Sequence, residues 1–145
     1  MKSNSVYDCT IVQLHRHHRP QGNITVVENE DTVPFDVKRI YYLYDIPGGE
    51  ERGAHAHKDL SQLIVAVSGS FTVTLTDGKV KRTFVLNRPY QGLYVVPGIW
   101  RELDDFSSGS VCLVLASEVY QPEDYIRDYD EFLMWKDVQV DTSTE

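Results

Sequence analysis

The sequence predicts an all-β fold, a sandwich or a barrel, followed by one short C-terminal helix. Three observations lead there. Short runs rich in β-branched and aromatic residues recur between glycine, proline, asparagine and aspartate turn signals. One pair of runs, Phe71–Leu86, alternates as a hairpin does, and helical spacing of apolar residues begins only after Pro122. At 145 residues the chain is long enough to bury a core and is read as a single domain, 1–145.

Taken in order, His15, His17 and His18 with Arg16 and Arg19 run into Pro20-Gln21-Gly22, a turn composition. An exposed basic turn is expected there, not a metal site. Asn23–Glu28 is a short β-branched run after Gly22. Val37–Asp45 is the second strand, and its alternation puts Val37, Arg39, Tyr41 and Leu43 on one face, with Lys38, Ile40, Tyr42 and Tyr44 on the other. Gln62–Val67 is nearly all apolar, as in a strand covered on both faces. In Phe71–Leu86 the residues Phe71, Val73 and Leu75 alternate with Thr72, Thr74 and Thr76, and Asp77-Gly78 offers the positive-φ pair of a type I′ turn before Val80–Leu86 returns. Gly92–Val96 and Val111–Ala116 are further buried strands, with a turn at Phe106–Gly109. Pro122-Glu123-Asp124 suits a helix first turn, and Tyr125, Ile126, Tyr129, Phe132 and Leu133 follow at helical spacing. Arg127-Asp128 and Asp130-Glu131 are expected on that helix's solvated face, and the polar tail 137–145 is expected to fray.

Composition narrows the function. The chain carries 14 Lys+Arg against 22 Asp+Glu, a formal net charge of −8, opposite to the balance of a general nucleic-acid binder. An anionic substrate then needs a local basic pocket, for which Arg39, Arg52, Lys58 and Arg101 are available. Two cysteines, Cys9 and Cys112, make no disulfide framework. No apolar signal core opens the sequence and no apolar run is long enough to span a membrane. A reduced, cytoplasmic protein with no membrane or nucleic-acid partner is expected.

The stretch that carries chemistry is Gly49, five residues, His55-Ala56-His57, four residues, Gln62, six residues, Gly69. Two histidines at i and i+2 on a strand share a face. The spacing resembles the first cupin motif, with Gln62 where that motif usually has glutamate. The second motif usually adds a histidine shortly after a proline turn; here Pro97-Gly98-Ile99-Trp100 leads to Arg101, which repels a cation. With two of four ligands missing, no metal is expected, and acid–base chemistry by neutral histidine takes its place. Tyr41 adds a phenol, while Arg52 and Arg101 are suited to a phosphate or an oxyanion.

Beyond the single motif, the chain resembles the cupin sugar 3,4-ketoisomerases that act on dTDP-4-keto-6-deoxyglucose. The segments that carry the likeness are Val37-Lys-Arg-Ile-Tyr-Tyr-Leu-Tyr-Asp45, Arg52-Gly-Ala-His-Ala-His-Lys58, Gly92-Leu-Tyr-Val-Val-Pro97, Trp100-Arg-Glu102 with Asp105-Phe-Ser107, and Asp124-Tyr-Ile-Arg-Asp-Tyr-Asp130, within a core of about residues 24–133. The resemblance implies a small jelly-roll-like β-barrel, a homodimer exchanging N-terminal strands, no cofactor, and a role in deoxysugar and surface-glycan biosynthesis. It implies that His55, His57 and Tyr41 are catalytic and that Arg52 binds substrate. Gln62, Arg39, Lys58, Arg101 and Trp100 complete the expected substrate-binding set. Some relatives have histidine where this chain has Arg101. The implied reaction removes the C3 hydrogen acidified by the C4 ketone, passes through an enediolate, and leaves the ketone at C3. A dTDP-sugar 3,5-epimerase, a metal-dependent cupin and a non-catalytic sugar-nucleotide-binding cupin are the alternatives.

Overall fold

The computed structural model describes residues 2–137. Its strands are β1 (Thr10–Gln13), β2 (His15–Arg19), β3 (Gly22–Val26), β4 (Arg39–Leu43), β5 (Arg52–His57), β6 (Gln62–Ser68), β7 (Phe71–Thr76), β8 (Lys81–Leu86), β9 (Gln91–Val95), β10 (Trp100–Asp104), β11 (Val111–Ala116) and β12 (Tyr125–Ile126), and one helix, α1 (Tyr129–Lys136), follows them. Two five-stranded sheets form, in the orders β1-β9-β6-β11-β4 and β12-β5-β10-β7-β8, while β2 and β3 pair with each other alone. The two large sheets face one another as a jelly-roll-like sandwich; their ladders remain separate instead of closing into one barrel.

Alternation along the strands explains the layers. On β6, Ile64 and Ala66 enter the core between the sheets, where they meet Leu93 and Val114 of their own sheet and Phe71, Val73, Leu75, Leu86 and Leu103 of the other. The intervening Leu63 and Val65 point the opposite way, against Leu14, Val33, Phe35 and Leu115. Both faces of β6 are thus covered, as its apolar run requires. On the outer side of the second sheet, Ala56, Trp100 and Ile126 pack beneath Phe132 of α1. The far end of α1 is tied to the start of the chain: the buried Lys136 ammonium donates to the Lys2 carbonyl at 2.8 Å and to that of Asn4.

Several expectations need correction. The Asp77 hairpin is not a type I′ turn: Thr76 pairs with Lys81, leaving a four-residue loop. Gly78 takes φ +93° while Asp77 is not in the positive-φ region, and type I′ needs both. The Asp77 carboxylate organises the loop instead, accepting the N–H groups of Lys79 and Val80 at 2.9 Å each and that of Val6 at 3.1 Å. The basic segment is exposed as expected, but it is a strand, with His15 opposite Val26 and Arg19 opposite Gly22. The helix starts later than its proline indicated. Pro122–Asp124 is a 3₁₀ turn, Tyr125 and Ile126 pair with His57 and Ala56 as a strand, and Asp128 caps the helix by accepting the Glu131 N–H at 3.1 Å. Apart from Asp137 at the end of α1, the polar tail lies outside the described residues.

Candidate active site

Strand β5 begins with a bulge. Arg101 of β10 faces His55 while Leu103 faces Arg52, so β5 carries one extra residue over the same span. Gly53 absorbs it at φ +69°, a backbone region costly for any residue with a Cβ. Such a Cβ would also lie 3.5 Å from Arg101 Nη2 and 3.4 Å from Leu103 Cδ1. Past the bulge the regular pleat turns His55 and His57 inward together and Ala56 outward under the helix.

A cavity of about 350 Å³ opens above His55, lined among others by Arg39, Tyr41, Arg52, Arg101, Tyr125 and Arg127. Arg101 forms its floor at 1% exposure. Its Nε and Nη2 lie 3.3 and 3.1 Å from His55 Nε2, and Nη2 also donates to the Tyr41 hydroxyl at 2.9 Å. A guanidinium only donates. Nε2 of His55 is therefore the unprotonated nitrogen and Nδ1 carries the hydrogen. Behind it, Gln62 Nε2 lies 3.3 Å from His57 Nδ1, and the amide N–H donates there, leaving the hydrogen of His57 on Nε2. Among the described residues that buried Nε2 has no hydrogen-bond partner. The two imidazoles meet edge to face at 4.7 Å.

Electrostatics keeps both rings neutral. Burial foremost, then the Arg101 charge, hold the His55 and His57 pKa values far below the ordinary histidine value. Among the described residues the one side-chain ion pair is Lys38–Glu118 at 3.7 Å, so no carboxylate neutralises Arg39, Arg52, Arg101 or Arg127. A chain with net charge −8 concentrates positive charge at this one cavity.

The wall opposite β4 comes from the chain's last segment. The Tyr125 ring stands 5.0 Å from His55 and 4.4 Å from His57, centroid to centroid. Its hydroxyl accepts from Arg39 Nη2 at 2.9 Å, and the Arg127 guanidinium covers its other side at 4.4 Å. The Arg39 guanidinium also lies 5.1 Å from the centre of the Tyr41 ring.

Of the residues singled out in the sequence, Arg39, Tyr41, Arg52, His55 and Arg101 meet at the cavity, and His57 and Gln62 stand directly behind it. Lys58 and Trp100 do not line it. Trp100 precedes Arg101 on β10 and so points to the opposite face. There its indole donates to Glu102 Oε2 at 2.9 Å and its ring packs 5.7 Å from Phe132. Lys58 instead uses its backbone N–H, donated to the Asp124 carbonyl at 2.9 Å. Tyr125 and Arg127 were missed as site residues because they were assigned to a helix face. The available signal was Asp128-x-x-Glu131, a capping pattern that places the helix start after them. Among the described residues no group of three or more histidine, cysteine, aspartate or glutamate side chains converges on a point.

A jelly-roll sandwich with an inward histidine pair on a bulged strand, backed by glutamine and floored by arginine, is a cupin-type architecture. The chain belongs to the WxcM-like, C-terminal family (FdtA), which it matches over residues 7–137. It is 46% identical over 112 residues to the TDP-4-oxo-6-deoxy-α-D-glucose-3,4-oxoisomerase of Aneurinibacillus thermoaerophilus, covering 77% of this chain and 81% of that one. Its structure is similar to a 3,4-ketoisomerase from Helicobacter canadensis, with a TM-score of 0.88 at 42% identity over 90% of this chain and 98% of that one. A TDP-quinovose 3,4-ketoisomerase from Campylobacter jejuni is similar at 45% identity, with a TM-score of 0.84, 88% of this chain and 98% of that one being covered.

Proposed function

We propose that this protein is a 3,4-ketoisomerase of a TDP-linked 4-keto-6-deoxy sugar, acting in deoxysugar biosynthesis. The relatives carry that activity in their names. The observation that carries the reading in this chain is the unprotonated Nε2 of His55, which accepts from Arg101 at the cavity where the same guanidinium meets Tyr41.

In this reading His55 is the base. As Arg101 turns its N–H groups from Nε2 toward O4, Nε2 takes the C3 proton, the C3–H electron pair becomes the C3=C4 double bond, and the former carbonyl electrons move onto O4. Arg101 faces that oxyanion, in a site where fixed charge is strong because little water competes. The proton on His55 then returns to C4, while the hydrogen of O3 is passed by way of a phenol at the cavity to O4, so that O3 becomes the ketone and O4 the hydroxyl. His57 orients His55 from behind, held by Gln62. Arg52 and Arg127 at the rim take the diphosphate, a role suited to guanidinium groups that have no carboxylate partner among the described residues. The chemistry needs neither metal nor nicotinamide; glutamine in place of an acidic ligand, and a fixed cation on the cavity floor, both disfavour a divalent ion.

The quaternary reading is a homodimer in which the β2–β3 hairpin of one copy lies along edge strand β4 of the other. It is supported by a hairpin whose strands pair with neither large sheet of its own chain and by the exposed stripe of Ile40 and Tyr42 on β4 and Tyr44 just beyond it, 58, 59 and 60% exposed. A cytoplasmic location fits two free thiols, Cys9 and Cys112, pushed up by burial to about 11 and about 12. No helix among the described residues is long and apolar enough to cross a membrane.

Chelator-treated protein incubated with TDP-4-keto-6-deoxyglucose in D₂O and followed by NMR tests the function. A ketone at C3 without added metal is expected, and the same spectra give the C4 configuration. Deuterium at C5 with the ketone still at C4 would identify an epimerase; no exchange at all would leave a binding protein.

A further inference from the structure

We propose that Tyr125 is a second catalytic phenol, serving one of the two reacting sugar oxygens while Tyr41 serves the other. This rests on the ketoisomerase reading. The observation behind it is a repeated unit. Tyr41 accepts from Arg101 and Tyr125 accepts from Arg39, both at 2.9 Å, and both phenols line the same cavity on either side of His55. Because a guanidinium only donates, each phenol oxygen has one lone pair filled and keeps its own O–H proton to give. Among the described residues neither hydroxyl donates to a protein acceptor.

The chemistry asks for two such groups. Moving a ketone from C4 to C3 changes two oxygens at once: O4 gains a hydrogen as its carbonyl bond opens, and O3 loses one as its carbonyl bond forms. His55 works at the carbons, taking the proton from C3 and returning it to C4. At the oxygens, one phenol gives its proton to O4 and becomes the phenolate, while the other takes the proton from O3 as it releases its own O–H proton to solvent in the open cavity. That released proton passes through the solvent to the phenolate, so both phenols end neutral and neither is ever doubly protonated. Atoms, charge and electrons balance with no further reactant. A single phenol would have to serve both oxygens in sequence.

Tyr125 is held for this task. Its ring rests on both imidazoles, β12 pairs it with His57, and Arg127 closes the side away from the histidines. Arg39 bonds to its hydroxyl and lies over the ring of Tyr41, so one guanidinium sets the positions of both phenols.

Tyr125→Phe keeps the ring and removes the hydroxyl. Wild type, Tyr125→Phe and Tyr41→Phe would be compared for ketone transfer by NMR and for TDP binding by calorimetry. Expected is a fall in kcat of about 10²–10⁴-fold for each variant, with TDP affinity within about twofold of wild type. A kcat for Tyr125→Phe within about threefold of wild type would overturn the proposal. So would loss confined to KM or to TDP binding, which would make Tyr125 a binding or packing residue. If wild type itself moves no ketone, the ketoisomerase reading fails first; if wild type is active and Tyr125→Phe equally so, only the second phenol is lost.

Discussion

Arg101 sits where a metal-binding relative of this fold would want a ligand, and it changes what His55 can do. Its N–H groups fix the tautomer of His55, and its charge adds to burial in opposing protonation, so the ring is held in its neutral, proton-accepting form. His55→Asn should lower kcat by at least about 10²-fold while TDP binding, measured by calorimetry, stays unchanged. Depressed histidine pKa values also tie stability to pH. Unfolded histidine titrates near about 6.5, so below that pH the unfolded chain takes up protons that buried His55 and His57 refuse. Stability present above pH 6.5 is then lost as pH falls, by about 1.4 kcal/mol per pH unit for each histidine. Urea unfolding of wild type at pH 7 and pH 5, set against the His55→Asn/His57→Asn double variant, should show a flatter pH dependence in the variant. Gly53→Ala places a Cβ on left-handed backbone against Arg101. It should cost about 1–2 kcal/mol in urea unfolding and lower kcat as well, because relief of the left-handed backbone at the bulge shifts His55, two residues along. Wild-type kcat in that variant would mean that the bulge serves the fold alone.

Among the elements, β12 shows why parts of the site were hidden. Two residues suffice to seat Tyr125 over both histidines, yet a two-residue strand has no periodicity to read, and Tyr125, Ile126, Tyr129 and Phe132 happen to fall at helical spacing. Strand β10 was hidden for another reason: Trp-Arg-Glu-Leu-Asp does not alternate in polarity, because buried Arg101 occupies an inward position that pattern reading reserves for apolar residues. Of the strands that were legible, β6, β7, β9 and β11 each bury a clean apolar face, while β3, β4 and β8 were read from β-branched content, alternation and the hairpin. Edge strand β4 and the free hairpin carry the element-scale prediction. Ile24→Asp with Tyr42→Asp should shift the protein to monomer in size-exclusion chromatography with light scattering. A dimer unchanged by both substitutions would exclude the proposed pairing.

For the whole molecule the governing fact is opposition between a net charge of −8 and a cavity holding four guanidinium groups without carboxylate partners among the described residues. Binding of a sugar diphosphate then depends on short-range attraction inside a repelling envelope. The Debye length shrinks from about 10 Å at 0.1 M salt to about 3 Å at 1 M. Raising salt over that range should increase KM several-fold and leave kcat nearly constant; a falling KM would show that repulsion by the acidic surface dominates. The acidic balance was plain from composition, and the histidine pair, Tyr41 and three of the four arginines were named from motif spacing. The fourth, Arg127, needed the correct helix start, and the exclusion of Trp100 needed the pleat of a strand not anticipated.

The Lys136 clasp has a consequence for topology. By donating to the carbonyls of Lys2 and Asn4 it brings the two ends of the described residues within hydrogen-bonding reach, so the fold is nearly a ring that happens to be cut between α1 and the first turn. A ring has no privileged opening. Joining the ends by a short linker and cutting instead at Gly48-Gly49, where an added Cβ meets nothing within 4 Å, would reorder the sequence and keep every strand pairing. In such a permuted chain Arg52 and the two histidines are synthesised first, and the phenol of Tyr41 arrives last.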